Sequence, residues 1–291
     1  MASLFVILAR NGRHALIFRR GPSKQVLLIK WDRRHDRFET GQWFKGRIFE
    51  RRCDLSPSGE MLVYLAAKHK GSIGTWTAIS RPPYLTALAL WPNMGTWGGG
   101  GLFESEYSLL FNHDATHRKL AEGFQLPQRM RVHPLGHRPG RGEDYPIYHA
   151  RLVRDGWTLK QPGKNTDYDG DASIKWRFIE PEIYEKCVAR RKATCSLRMI
   201  LRGIGERSGP WYLLDYEVLD ESGQCRLTLP RTDWADWDEN GDLLFSDRGK
   251  LFRLAWSKAR AGDREAAREL ADFSDLRFAA KEASKRARQW R

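Results

Sequence analysis

Along residues 1–256 the apolar positions fall in short runs of four to eight, interrupted by Gly, Pro, Asn, Asp or Ser. Runs of that length, rich in β-branched, aromatic and leucine side chains, predict strands rather than helices. The candidates are Ser3–Leu8, Ala15–Phe18, Val26–Ile29, Met61–Ala66, Thr75–Ile79, Tyr84–Leu90, Ser108–Phe111, Ile147–Val153, Ser196–Leu201, Trp211–Val218, Leu243–Ser246 and Lys250–Leu254. Between them stand Asn11-Gly12, Ser58-Gly59, Asp155-Gly156, Ser222-Gly223 and Asn240-Gly241. Such pairs tolerate the positive φ that tight hairpin turns require. The pattern predicts an all-β body.

From Ser257 onward the pattern changes. Glycine and β-branched residues nearly vanish, and Ala, Arg, Lys and Glu take over. Ala259, Ala266, Ala267, Leu270 and Ala271, then Leu276, Phe278, Ala279 and Ala283, fall at helical spacing, with a break over Asp272–Asp275. This predicts a β domain over 1–256 and a basic amphipathic helical tail over 257–291. The clustered Leu270, Phe273, Leu276 and Phe278 predict that the tail docks on its own β body.

Two segments echo each other. Asp54-Leu-Ser-Pro-Ser-Gly-Glu-Met-Leu-Val-Tyr64 is a turn followed by a strand, and Trp237-Asp-Glu-Asn-Gly-Asp-Leu-Leu-Phe245 repeats it. The second continues as Ser-Asp-Arg-Gly-Lys-Leu-Phe-Arg-Leu254, a further hairpin. These stretches resemble blade motifs of bacterial β-propellers with TolB-like and WD40-like repeats. Glycine turns at 12, 59, 156 and 241 fit a period of about 40–50 residues. The resemblance implies a β-propeller, and the spacing gives about five blades, within a range of five to seven, closing at five if the first and last hairpins share one blade.

Charge adds a second layer. The 291 residues carry a net charge of +14, with 12 tryptophans. Residues 1–53 hold +9, 118–160 hold +5 and 186–207 hold +6, whereas 208–247 hold −8. Segregation of this kind suits a polyanion or an acidic protein partner. The opening Met1–Arg10 run lacks a basic n-region, no stretch is long enough to span a bilayer, and the four cysteines form no Cys-x-x-Cys pair. A cytoplasmic protein without membrane contact is expected.

The candidate chemistry is sparse. Gly98-Gly99-Gly100-Gly101 permits close backbone approach to a ligand, with Trp91 and Trp97 as stacking surfaces. Arg129, Arg131, Arg138, Arg141, Arg190, Arg191 and Lys192 are the candidate polyanion contacts, several of them in the irregular stretch His133–Gly142. Asn165, Asp167 and Asp169 alternate oxygen donors before Gly170, a weak calcium pattern that Asp236, Asp238 and Asn240 repeat. Neither loop has the closing glutamate of an EF-hand. His113-Asp114-x-x-His117 places two imidazoles four residues apart. No nucleophile elbow or kinase signature occurs. No cofactor, no catalytic residue and no structural metal is expected. The favoured expectation is a non-catalytic propeller engaging a protein partner. The alternatives are a glycan hydrolase using Asp54, Asp114, Asp169 or Glu180, and nonspecific nucleic-acid binding through the basic face.

Overall fold

A computed structural model describes residues 2–21, 24–68, 71, 73–165, 174–190, 193–207 and 210–290. The fold is a five-bladed β-propeller, 49% strand and 10% helix. Its five sheets follow one another along the chain. The first joins Ser3–Leu8, His14–Arg20, Gln25–Asp32 and Arg37–Lys45 in sequence order. The second joins Arg47–Ile48, Asp54–Leu55, Leu62–Ala67, Thr75–Ser80 and Ala87–Asn93. The third pairs Gly101–Ser105 with Ser108–Phe111, to which Arg131–Pro134 adds in parallel. The fourth runs from Thr158–Gln161 to Cys225–Leu229 around the long hairpin Ile174–Arg190 and Ala193–Glu206. The fifth joins Ala235–Trp237, Leu243–Asp247, Lys250–Leu254 and Arg268–Asp272. The first and last hairpins belong to different sheets, so the five blades do not come from those two hairpins sharing one.

Internal contacts divide the chain into two compact units. One comprises Phe5–Arg151 with Leu276–Arg291, the other Met1–Leu4 with Leu152–Asp275.

In the first unit, the strand Leu62–Ala67 is buried at every position. Leu62, Tyr64 and Ala66 join one apolar cluster with Leu16, Phe18, Val26 and Leu28. Met61 and Val63 join another with Ile79, Trp91, Phe103 and Phe111. Successive strand side chains point to opposite faces, so a strand buried on both sides reads as one continuous apolar run.

The sequence echo is structural. The Ser56 carbonyl accepts from Gly59 N at 2.8 Å, and the Asp238 carbonyl accepts from Gly241 N at 2.9 Å. Both glycines have positive φ, +74° and +76°. A residue with a Cβ would be strained there, and glycine sets the turn.

Two expectations fail. Ile147–Val153 is not a strand but part of the helix Tyr145–Arg154. Its buried positions are Ile147, Tyr148, Arg151 and Leu152, a helical rather than alternating spacing, and Pro146 sits in the first turn where no N–H is missed. Gly156 accordingly ends this helix, donating to Val153 O, rather than turning a hairpin. The helical tail is also corrected. After the six-residue helix Trp256–Ala261, Gly262 stops the helix at φ +76°, and Arg268–Asp272 becomes an edge strand beside Lys250–Leu254. Backbone pairing there overrides the helical propensity of alanine. Residues 276–284 form neither helix nor strand, and a single turn of 3-10 helix follows at Arg286–Arg288.

The hairpin at Asp247–Lys250 turns through Arg248 and Gly249, both at positive φ, +49° and +85°. Arginine is disfavoured in that conformation and asparagine tolerates it. Arg248→Asn is expected to raise stability by about 0.5–1 kcal/mol, read as a higher urea midpoint at unchanged slope. A lower midpoint would show that the Asp247–Arg248 contact outweighs backbone strain.

No described helix is long and apolar enough to cross a membrane.

Candidate interaction surface

The glycine run and the basic stretch after it come together in the first unit. Gly99 N donates to Asn112 O at 2.7 Å, and Asn112 N donates to Gly100 O at 3.0 Å. The Asn112 side chain turns the other way. Its Oδ1 accepts from Gly140 N at 2.7 Å and its Nδ2 donates to Arg141 O at 3.2 Å. Buried Asn112 thus ties residues 99–100, through its backbone, to residues 140–141, through its side chain. A Cβ on Gly98 would lie 2.5 Å from Gly140 O, and one on Gly100 would lie 2.4 Å from Arg52 O. The run is glycine because three backbone segments cross there within contact distance.

Arg52 locks the crossing. It is 2% exposed, and its Nη1 donates to Thr96 O and, at 3.1 Å, to Gly98 O. Its Nε pairs with the Asp144 carboxylate, and its guanidinium lies 4.9 Å from the centre of the Phe49 ring. Two loops are held by one cation.

What these loops present is apolar with a basic rim. Met94 is 90% exposed, Trp97 60% and Tyr145 53%. Trp97 O accepts from Glu143 N at 2.9 Å, which sets the tryptophan beside the segment leading to Tyr145. Tyr145 stacks on His149 with ring centres 5.0 Å apart and planes 11° apart. Arg138 and Arg141 are exposed on the same basic loop.

The other expected residues go elsewhere. Trp91 offers no stacking face: it is 2% exposed and packs on Phe111 at 4.9 Å. All four glycines of the run are buried. Arg129 lies over the Tyr107 ring at 4.1 Å, and Arg131 donates to the carbonyls of Gln128 and Met130. Arg190 belongs to the other unit, 3.8 Å from Asp242. Arg191 and Lys192 lie outside the described residues, as do Asp167 and Asp169 of the calcium pattern. Asn165 pairs through its backbone with Phe178. In the second such loop, Asp236 pairs with Lys186 at 2.7 Å, and Asp238 accepts from Asn240 N and Asp242 N at 2.8 and 3.0 Å. Those carboxylates serve the turn. Among the described residues no three His, Cys, Asp or Glu side chains gather as metal ligands.

The carboxylates named for hydrolysis are also engaged. Asp54 is fully buried and accepts from Phe103 N at 2.8 Å. Asp114 accepts from Thr116 N at 2.8 Å and from His117 Nδ1 at 2.9 Å. The Thr116 hydroxyl contributes most to holding its pKa down, at about 2. Glu180 is exposed, 3.5 Å from Lys164.

The two imidazoles of His113-Asp114-x-x-His117 do not converge. His113 is 1% exposed, stacked on Phe111 at 3.8 Å. The Thr77 hydroxyl accepts from Gly100 N at 2.8 Å, which leaves its proton for His113 Nε2 at 2.7 Å. His113 therefore carries its own proton on Nδ1 and donates it to His117 O at 2.8 Å. Burial, the largest cause, pushes its pKa down to about 4. In the unfolded chain a histidine titrates near 6.5, so between about pH 6.5 and 4 the unfolded state binds the extra proton. The site's contribution is whole above that window and falls as pH drops through it, by about 3 kcal/mol. His113→Gln is expected to flatten that part of the pH dependence of urea unfolding. A variant with the parent's slope across the window would show that other groups cause it.

Sequence reasoning missed Arg52, Asn112, Asp144 and Tyr145. Arg51-Arg52 between Ile48-Phe49 and Cys53-Asp54-Leu55 was the available signal, since charges inside an apolar stretch are buried only when partnered. No known protein-family model and no curated protein matches the chain.

Proposed function

We propose that the protein is a non-catalytic binding module whose Met94, Trp97 and Tyr145 surface engages a protein partner. The observation that carries this reading is an exposed tryptophan and methionine mounted on a backbone crossing fixed by buried Arg52 and Asn112. Large apolar side chains held out of a core mark interaction sites, and rigid aromatic anchors lose little entropy on binding. Arg138 and Arg141 at the rim favour an acidic partner and speed encounter. The likeness of segments 54–64 and 237–254 to TolB-like and WD40-like blades supports the same reading. Free Cys53, Cys187, Cys195 and Cys225 are in keeping with a reducing cytoplasm.

Affinity capture with the full chain tests this against the double variant Trp97→Ala and Met94→Ala. A partner retained at moderate salt by the parent and lost by the variant at unchanged melting temperature is the expected result. Material removed equally by nuclease treatment in both would contradict it and favour the nucleic-acid alternative.

A further inference from the structure

Residues 276–291 hold six cations, Arg277, Lys281, Lys285, Arg286, Arg288 and Arg291, against the single acid Glu282. The first five cations are exposed, whereas Ala283 and Ala287 among them are buried. The segment is thus anchored by its small side chains and turns its charges outward. Its carbonyls are anchored too: Gln42 donates to Lys281 O, and Arg81 donates to Gln289 O and Trp290 O. A basic segment held this way needs little further ordering when it binds.

Aromatic rings stand among these cations. Phe278 is 39% exposed, with the Trp43 ring 6.1 Å away and Lys45 Nζ 4.1 Å from its own centre. Lys281 donates to Thr40 O and lies 5.7 Å from the centre of the Tyr84 ring. Trp43 and Tyr84 are half-buried, and Lys45 is exposed. Carboxylates offset only part of the charge. Glu60 serves two cations at once, Arg286 at 2.8 Å and Lys30 at 2.9 Å, and Glu282 lies 3.9 Å from Arg288. All of these residues belong to the first unit.

We propose that this strip binds single-stranded nucleic acid, with Arg277, Lys281 and Lys285 at the phosphates and Phe278 as the ring on which a base stacks. Cations interleaved with exposed rings match a chain that alternates phosphates with flat, unpaired bases. A carboxylate-rich peptide matches the charge but brings nothing to lay on the ring, and a duplex keeps its bases inside. The strip shares no residue with the Trp97 surface.

Fluorescence anisotropy of the full chain at low salt tests it, with a labelled oligothymidylate of about 12 nucleotides as the probe. Saturable binding is expected, weakened at least about fivefold by the double variant Arg277→Gln and Lys285→Gln. The slope of log affinity against log salt should flatten by about 1.4 in that variant, since each phosphate contact on a single strand contributes about 0.7. Lys45→Gln, on a different element, carries the test if the double variant does not fold. Oligoglutamate that competes as well as unlabelled oligothymidylate, a duplex of equal length that binds as tightly, or affinity untouched by the double variant would overturn the proposal. The Trp97 surface is read by protein capture at moderate salt, where a few phosphate contacts hold little, so the two readings fail separately.

Discussion

Removing residues 276–291 is expected to destabilise the first unit by about 4–6 kcal/mol, the largest effect of any change considered. The segment packs against its unit without forming a strand. Phe278 packs against Trp43 at 6.1 Å, with Lys45 4.1 Å over its ring. Gln42 donates to Lys281 O at 3.0 Å while its Oε1 accepts from Leu85 N at 2.8 Å, so one amide joins the first sheet, the loop before Ala87 and the terminal segment. Arg81 holds the carbonyls of Gln289 and Trp290 at 2.8 and 2.6 Å. Ala283 and Ala287 are buried, and Trp290 packs on the cluster of Met61, Trp91 and Phe103. Phe278 is 39% exposed and Trp290 partly buried, so the two contribute roughly 2–3 kcal/mol together, and buried Ala283 and Ala287 with the lost hydrogen-bond partners supply the rest. Urea unfolding with a dye that reports exposed apolar surface reads it. An unchanged midpoint would mean that these contacts are too loosely made to count.

Arg52→Ala is the second large effect, expected at about 3–5 kcal/mol. The substitution removes the guanidinium from Asp144 and leaves the carbonyls of Thr96 and Gly98 without their cation. Lysine cannot restore the arrangement, because one ammonium does not reproduce a planar fork that serves Asp144 and two carbonyls at once. Arg52→Lys should therefore recover less than half of the loss in chemical denaturation. Full recovery by lysine would show that charge alone, and not fork geometry, holds the loops.

The fold was more legible in the sequence than the surface, for physical reasons. Ser3–Leu8, Ser108–Phe111 and Lys250–Leu254 are found where the apolar runs placed them, since strand burial is written locally in alternate or continuous apolar positions. The 54–64 and 237–254 echo was legible because positive φ at Gly59 and Gly241 demands glycine. Ile147–Val153 misled because a short apolar run fits either period, and the helical face includes Arg151, a charged residue that no apolar count includes. Arg268–Asp272 misled because edge pairing with Lys250–Leu254 is a long-range fact that local propensity does not carry. Trp97 and the glycine run were visible as residues, but their meaning depended on Arg52, 46 residues from Gly98, and on Asn112, 28 residues from Gly140.

The proposed partner surface is the face that carries Met94 and Trp97. A photo-crosslinking amino acid placed at position 94 in cells, with the same residue at position 239 as control, tests this surface. One discrete adduct of defined mass is expected from position 94 and none from position 239, with the adduct lost on adding Trp97→Ala. Equal adducts from both positions, or an adduct from position 94 that survives Trp97→Ala, would contradict it.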